Sequence, residues 1–396
     1  MSIGVMVRRN KMRGHIDKYE GKRGTSWYYI VDVGRDEATG KRKQKHKRGF
    51  RTRKEAESAM REVISALEDG TYVSPSRKTL GRHLEEWKED YVSHNVREST
   101  ATEYIRIIDR NLIPHLGHHR IQSLRPQHIQ RYISRMLKSG RVRGKGGLSP
   151  TTVRNHYRIL SEALEYAVDM QVIKASPTVR VKAPKVKKFK PQIVTPEMAE
   201  LIMEEAVGTP WLAAICLAFY SGIRRSELCG LRWSDIDFEQ HCLTIDRARV
   251  ATRGGSVEGE PKSETSRRLV SLSTNIVYVL HYHMKDQMEM FEALGIRWTQ
   301  DCYLFCNDRG EPYHPSSVSH AFKRFATRAG FPDVRMHDAR HAHATIMLKA
   351  KVSMKTIQER LGHSKMSTTG DLYLHVLREM DADAAEAFER QFDKFR

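Results

Sequence analysis

The stretch Lys182–Pro191, KAPKVKKFKP, constrains this chain more than any other feature. Its five lysines repel one another and its two prolines cannot continue a helix or a ladder, so the stretch is extended and unable to fold alone. Any packed structure must therefore lie on either side of it. A length of 396 residues leaves room for two or three domains of ordinary size. We expect a linker over 182–194, with Lys185, Lys187 and Lys188 available to a polyanion.

Upstream, residues 79–181 carry apolar stripes at helical spacing. Leu80, Leu84, Trp87 and Tyr91 form one, and Tyr104, Ile105, Ile108 and Leu112 form a second that ends at Pro114 and Gly117. Ile129, Tyr132, Ile133, Met136 and Leu137 form a third. Ser149-Pro150, a cap followed by a first-turn proline, opens a fourth that buries Val153, Leu160, Ala163, Leu164 and Ala167. The aromatic stripes read as core, and the expectation is an all-α four-helix module with a flexible basic loop around Lys145. Residues 1–76 read differently. Trp27–Val33 is aromatic and β-branched, hence a strand. A second strand over Lys41–Arg48 follows a turn at Asp36–Gly40. Thr52 and Glu55 then form a capping-box signal for a helix with Ala56, Ala59, Met60, Val63, Ile64 and Leu67 on one face. This predicts a small α+β domain. Residues 195–396 predict a mainly helical, mixed α+β domain opened by Thr195-Pro196-Glu197. Its strands are expected over Cys242–Val250 and Arg267–Leu272, joined by a long Gly-rich hairpin.

Charge narrows the partner. Lys and Arg number 68 against 48 Asp and Glu, a formal net charge of +20. Such an excess points to a polyanion, either nucleic acid or an anionic membrane surface. No apolar run approaches the roughly 20 residues of a spanning helix, and Met1–Arg13 lacks the apolar stretch of a signal peptide, so a cytoplasmic protein is expected. Lys41, Arg42, Lys43, Lys45, Lys47 and Arg48 form a cationic strand without acidic relief. A solvated edge strand is the bland alternative; binding to DNA phosphates relieves the self-repulsion better. The five cysteines, Cys216, Cys229, Cys242, Cys302 and Cys306, suggest a reducing compartment. Cys302 and Cys306 flank a strand-like Tyr303-Leu304-Phe305, so a metal site is conceivable, but no second Cys/His pair follows at zinc spacing. No metal or cofactor is expected.

No phosphate-binding Gly-Lys-Ser/Thr loop, no G-x-G-x-x-G after a strand and no H-E-x-x-H is present. Three other elements stand out. An apolar helix over Leu212–Phe219 runs into Gly222-Ile223-Arg224, where Gly222 allows a tight turn and Arg224 starts a new helix, placed to bind a phosphate. Glu227, one turn on, braces it, although Arg-x-x-Glu alone also fits a surface ion pair. His337 and Arg340 share a helical face, uniting a proton carrier and an anion clamp, although the pair also fits a structural histidine. Leu361-Gly362-His363-Ser364, with Thr368-Thr369, precedes Tyr373.

Each element is ordinary alone. In this order, Gly-x-Arg-x-x-Glu-Leu, His-x-x-Arg, and Leu-Gly-His-Ser followed by a tyrosine, the chain resembles the tyrosine recombinase (phage integrase) family. The resemblance implies that Arg224, His337, Arg340 and His363 surround a phosphate and that Tyr373 is the nucleophile forming a 3′-phosphotyrosyl bond. It also implies a catalytic lysine on a hairpin, which Lys262 matches. It implies a homotetramer on double-stranded DNA attachment sites, with a DNA-bending protein and a directionality factor as further partners. The segments 1–76, 79–181 and 195–396 would then be the arm-binding, core-binding and catalytic domains. Gly370 departs from the pattern, where many relatives carry an apolar residue. Phe388, Phe392 and Phe395 suggest a tail helix that docks on a neighbouring subunit. The alternatives are a type IB topoisomerase, a DNA-binding protein without activity, and a metal-dependent nuclease, for which no carboxylate cluster is found.

Overall fold

The computed structural model describes residues 14–21, 24–35, 39–141, 144–186, 193–252, 254–259 and 267–362. They divide into two compact units, 1–187 and 188–396.

In the first unit, β1 (Gly14–Gly21), β2 (Gly24–Arg35) and β3 (Arg42–Phe50) form an antiparallel sheet in that order. Tyr29 and Val31 of β2 point the same way and are buried beneath α1 (Arg53–Glu68), where Val63 meets them. The expected cap is half right: Thr52 Oγ1 accepts the Glu55 N–H at 3.2 Å, but the Glu55 carboxylate accepts from Arg51, one residue before the cap, at 3.0 Å. Strand β1 was not anticipated, because GHIDKYEG has no apolar run. The second expected strand extends to Phe50, which packs against the same small core.

Four helical rods follow. Helix α2 (Leu80–Trp87) continues through a π turn at Lys88–Val92 into α3 (Ser93–Asn95). Helix α4 (Glu98–Ile107) likewise passes through Ile108–Leu112 into α5 (Ile113–Leu116). Helices α6 (Pro126–Ser139) and α7 (Pro150–Asp169) complete the set, and Ser149 Oγ accepts the Thr152 N–H at 3.2 Å. The predicted stripes supply most of its core: Leu80, Leu84, Trp87, Ile108, Leu112, Ile129 and Leu160 are all buried.

The second unit is built around α9 (Leu212–Ser221), in which every residue from Ala213 to Phe219 is buried. Helix α8 (Pro196–Glu204), capped by Thr195, precedes it. The short α10 (Arg225–Leu228) follows, then β4 (Ile236–Asp237) and β5 (Cys242–Ile245). The expected single strand over Cys242–Val250 is broken at Asp246-Arg247, where Arg247 turns to Asp235 (3.3 Å) and Asp246 (3.1 Å). Strand β6 (Ala248–Thr252) pairs with β7 (Gly255–Gly259) as a separate ribbon, while β5 pairs with β8 (Arg268–Ser271). Helices α11 (Thr274–Ala293), α12 (Pro315–Arg328), α13 (Met336–Lys349) and α14 (Met354–Leu361) complete the described residues. Cys302–Cys306 is not a strand; it makes only single bridges, Arg232 to Tyr303 and Cys306 to Pro312, so no ladder forms along it. Cys306 is buried against Gln287, and among the described residues no group of three or more His, Cys, Asp or Glu is placed to hold a metal. Among those residues no helix is long and apolar enough to cross a membrane.

Candidate anion cleft of the second unit

Helix α9 ends because Gly222 adopts φ +63, a left-handed conformation. Its hydrogen is also required by space: a Cβ there would sit 2.7 Å from Leu361 Cδ2 and 2.8 Å from His343 Cδ2. The chain then turns straight into α10, with Arg224 as its cap residue. Glu227, 2% exposed, holds Arg224 twice: one oxygen accepts the Arg224 backbone N–H at 3.0 Å and the other accepts Nη1 at 2.6 Å. Arg268, reaching from β8, grips both oxygens of the same carboxylate, at 3.2 and 2.9 Å. Burial alone would raise the pKa of Glu227, but the Arg268 and Arg224 guanidiniums outweigh it and hold the carboxyl below its usual range.

Arg335 caps α13, donating its backbone N–H to Asp338 at 2.9 Å. His337, the second residue of α13, and Arg340, one turn later, face the same cleft, as their spacing predicts. Arg340 is 3% exposed and is fixed by backbone: Nη1 donates to the Gly222 carbonyl at 2.7 Å and Nη2 to the Leu361 carbonyl. The His337 ring meets the His341 ring edge-on at 4.6 Å. Loss of water around it, and then the Arg340 charge, lower its pKa.

The end of α14 ties these parts together. Its last carbonyls carry the negative end of the helix dipole. Arg268 Nε donates to the carbonyl of Arg360 at 2.6 Å, Arg340 to that of Leu361, and Arg224 Nη2 to that of Gly362. Three arginines from three elements thus hold three successive carbonyls. Arg360 itself donates to His343 Nε2 at 3.0 Å and to the carbonyls of Tyr220 and Ser271, while His343 Nδ1 bonds the Phe219 carbonyl at 2.9 Å. Burial, then the Arg360 charge, push His343 down to about 4.

Arg224, His337 and Arg340 line one cleft of about 740 Å³, with Arg225, His320, Lys323 and Arg335 also in its wall. Among the described residues no carboxylate lines it. Such a wall attracts an anion, and two guanidiniums held by carbonyls and a buried carboxylate meet it without rearrangement.

Of the residues singled out in the sequence, Arg224, Glu227, His337 and Arg340 come together here. Lys262, His363 and Tyr373 lie outside the described residues, as do Gly370, Phe388, Phe392, Phe395, Lys187 and Lys188. The cationic strand is split by the pleat. Lys45 and Lys47 pair with the buried Val31 and Tyr29 and so lie on the α1 side. Lys45 sits over the Tyr72 ring, and burial lowers its pKa. Arg48 lies on the opposite face, over Tyr19 and Tyr28, and Arg42 pairs with Asp32. Lys41, Lys43, Lys145 and Lys185 are exposed. Sequence reasoning missed Arg225, Lys323, Arg335 and above all Arg268; the last carried one signal, a pair of arginines opening an alternating strand.

Comparison with known proteins places the chain in context. The profile described as Phage integrase family matches residues 192–380. Those described as Arm DNA-binding domain and as Phage integrase, N-terminal SAM-like domain match 17–67 and 79–137. A protein named tyrosine recombinase XerC-like, from Caldanaerobacter subterraneus, is 29% identical over 94% of this chain and 98% of its own length. The ICEBs1 integrase of Bacillus subtilis is 30% identical over 61% of this chain and 66% of its own. A solved structure of the Tn1549 transposon integrase with a circular intermediate DNA superposes with a TM-score of 0.62 at 21% identity, covering 77% of this chain and 99% of that one.

Proposed function

For a chain that belongs to the phage integrase family of tyrosine recombinases and acts in site-specific DNA recombination, we propose that the cleft of Arg224, His337 and Arg340 seats the scissile phosphate. A phosphodiester anion repels nucleophiles and its alkoxide is a poor leaving group, so cleavage needs charge neutralisation, a nucleophile and an acid. Arg224 and Arg340 bind the non-bridging oxygens, and Glu227 orients Arg224. His337, its pKa lowered, is neutral at physiological pH and able to accept the proton of Tyr373. Tyr373 attacks and forms a 3′-phosphotyrosyl bond, His363 adds a hydrogen bond to the phosphate, and Lys262 protonates the departing 5′ oxygen. The phosphotyrosine keeps the energy of the broken bond, so a 5′ hydroxyl of a partner duplex rejoins the strand without nucleotide or metal.

Two duplexes of two strands need four such sites, hence a homotetramer on DNA, assisted by a bending protein and a directionality factor. DNA as the partner is supported by the similar Tn1549 transposon integrase, whose solved structure holds a circular intermediate DNA. We assign segment 1–76 to arm sites, 79–181 to the core site and 195–396 to catalysis, joined by the basic linker 182–194, and place the work in the cytoplasm, on the nucleoid.

The single observation that carries the proposal is that two distant segments, Arg224 on one and His337 with Arg340 on the other, line one cleft with no carboxylate among the described residues of its wall. The test is covalent trapping in EDTA on a nicked duplex that the protein binds. An adduct stable to SDS and absent from Tyr373→Phe is expected. An adduct that survives Tyr373→Phe moves the nucleophile elsewhere, and binding without any adduct replaces the enzyme with a DNA-binding protein.

A further inference from the structure

We infer that Arg268 is a positioning residue for strand cleavage, aiming Arg224 through Glu227; this rests on the cleft being the phosphate seat. Arg268 does not line the cleft. Its side chain is 6% exposed and that of Glu227 is 2% exposed, so the two are out of solvent together. Its planar fork meets both carboxylate oxygens while Nε holds the Arg360 carbonyl at 2.6 Å. No lysine reproduces this, because an ammonium is one point charge and cannot fork two oxygens and reach a carbonyl behind it.

The consequence falls on Arg224. Glu227 is a buried carboxylate shared by two cations. With Arg268 present, its charge is already met from one side, and Arg224 keeps Nη2 on the Gly362 carbonyl and its face toward the cleft. Without Arg268, the same carboxylate has one cation left and draws Arg224 onto itself, away from an incoming phosphate. The effect is thus transmitted through a charge, and removing that charge cancels it.

The experiment uses the full chain and, as probe, a nicked duplex carrying a sequence that the wild-type protein selects from random DNA. Arg268→Met binds this duplex as the wild type does but forms the covalent adduct about 100-fold more slowly, the scale of a misaimed group. In a Glu227→Gln background the same Arg268→Met change costs little further, because no carboxylate remains to capture Arg224. Arg268→Lys lies between. A second readout needs no DNA: the gap in Tm between wild type and Arg268→Met narrows as pH falls from 8 to 5. The wild-type carboxyl is held low and stays charged over that range, whereas in the variant it takes up a proton and sheds its burial penalty.

Wild-type cleavage by a folded Arg268→Met, or an equal defect with and without Glu227, overturns the positioning role. A constant gap in Tm overturns the clamp itself. Should Arg268→Met not fold, the pair Arg268→Lys with and without Glu227→Gln decides by the same criterion. A wild-type chain that binds the duplex yet forms no adduct removes the phosphate seat, and the role with it, while the Tm gap still reports the clamp separately.

Discussion

Two sets of cations serve this molecule, and they are held in opposite ways. On the N-terminal sheet, Lys45, Lys47 and Arg48 lie over aromatic rings at 5.1, 5.4 and 5.0 Å, Lys45 half-buried and Lys47 and Arg48, on opposite faces, open to water and salt. In the second unit, Arg340 and Arg268 are buried, and each guanidinium ends on named carbonyls or a carboxylate. The first arrangement suits a rod of repeated charge: contacts add up, exchange for one another and fade as salt rises. The second suits one phosphate in one place, where direction matters more than charge count.

The sharpest way to break this contrast is Arg340→Ala. Loss of one fixed donor to the phosphate is expected to slow adduct formation by about 10²- to 10³-fold with DNA affinity nearly intact. Gel-shift and trapping assays on one preparation separate the two, and a parallel loss of both would merge the two sets of cations. Next is Gly222→Ala, which forces a side chain into φ +63 and against Leu361 and His343. A loss of about 1–3 kcal/mol is expected, read as a drop in Tm of roughly 2–4 °C per kcal/mol; an unchanged Tm contradicts the close approach.

Acid acts on the same network. His341 and His343 both titrate near 4 when folded, pushed down first by burial and then by neighbouring charge. Their folded pKa lies below the unfolded one, so their contribution is full above about pH 6.5 and drains away as pH falls toward 4. Thermal melts across that window show the slope, and His343→Gln, which keeps a donor for Phe219 and an acceptor for Arg360, is expected to reduce it. The smallest effect belongs to the sheet. Arg48→Ala should lower affinity for arm-type DNA a few-fold and reduce the salt slope by about one, leaving cleavage at the core site unchanged. A loss of cleavage there would mean that the sheet does more than hold DNA.

Much of this architecture was legible because it is written locally. The stripes from Leu80 to Ala167 and the caps at Thr52, Ser149 and Thr195 need only neighbours a turn away. The turn at Gly222 and the pairing of His337 with Arg340 are local too. What escaped lies in contacts distant along the chain. Arg268 meets Arg360 across 92 residues and Glu227 across 41, and no period announces such a pair. Strand β1 hid because it completes a sheet through backbone bonds while its side chains are mostly polar. The break at Asp246-Arg247 hid because the buried Asp235 that draws Arg247 away is remote from the strand pattern.

The most direct measurement replaces one charged non-bridging oxygen of the scissile phosphate with a methyl group and compares wild type with Arg340→Ala. If the cleft arginines neutralise that phosphate, the neutral linkage no longer needs Arg340, and the large defect seen on ordinary DNA shrinks toward wild-type cleavage. A defect of the same size on both substrates would mean that Arg340 does not meet the phosphate, and the account of the cleft would fall.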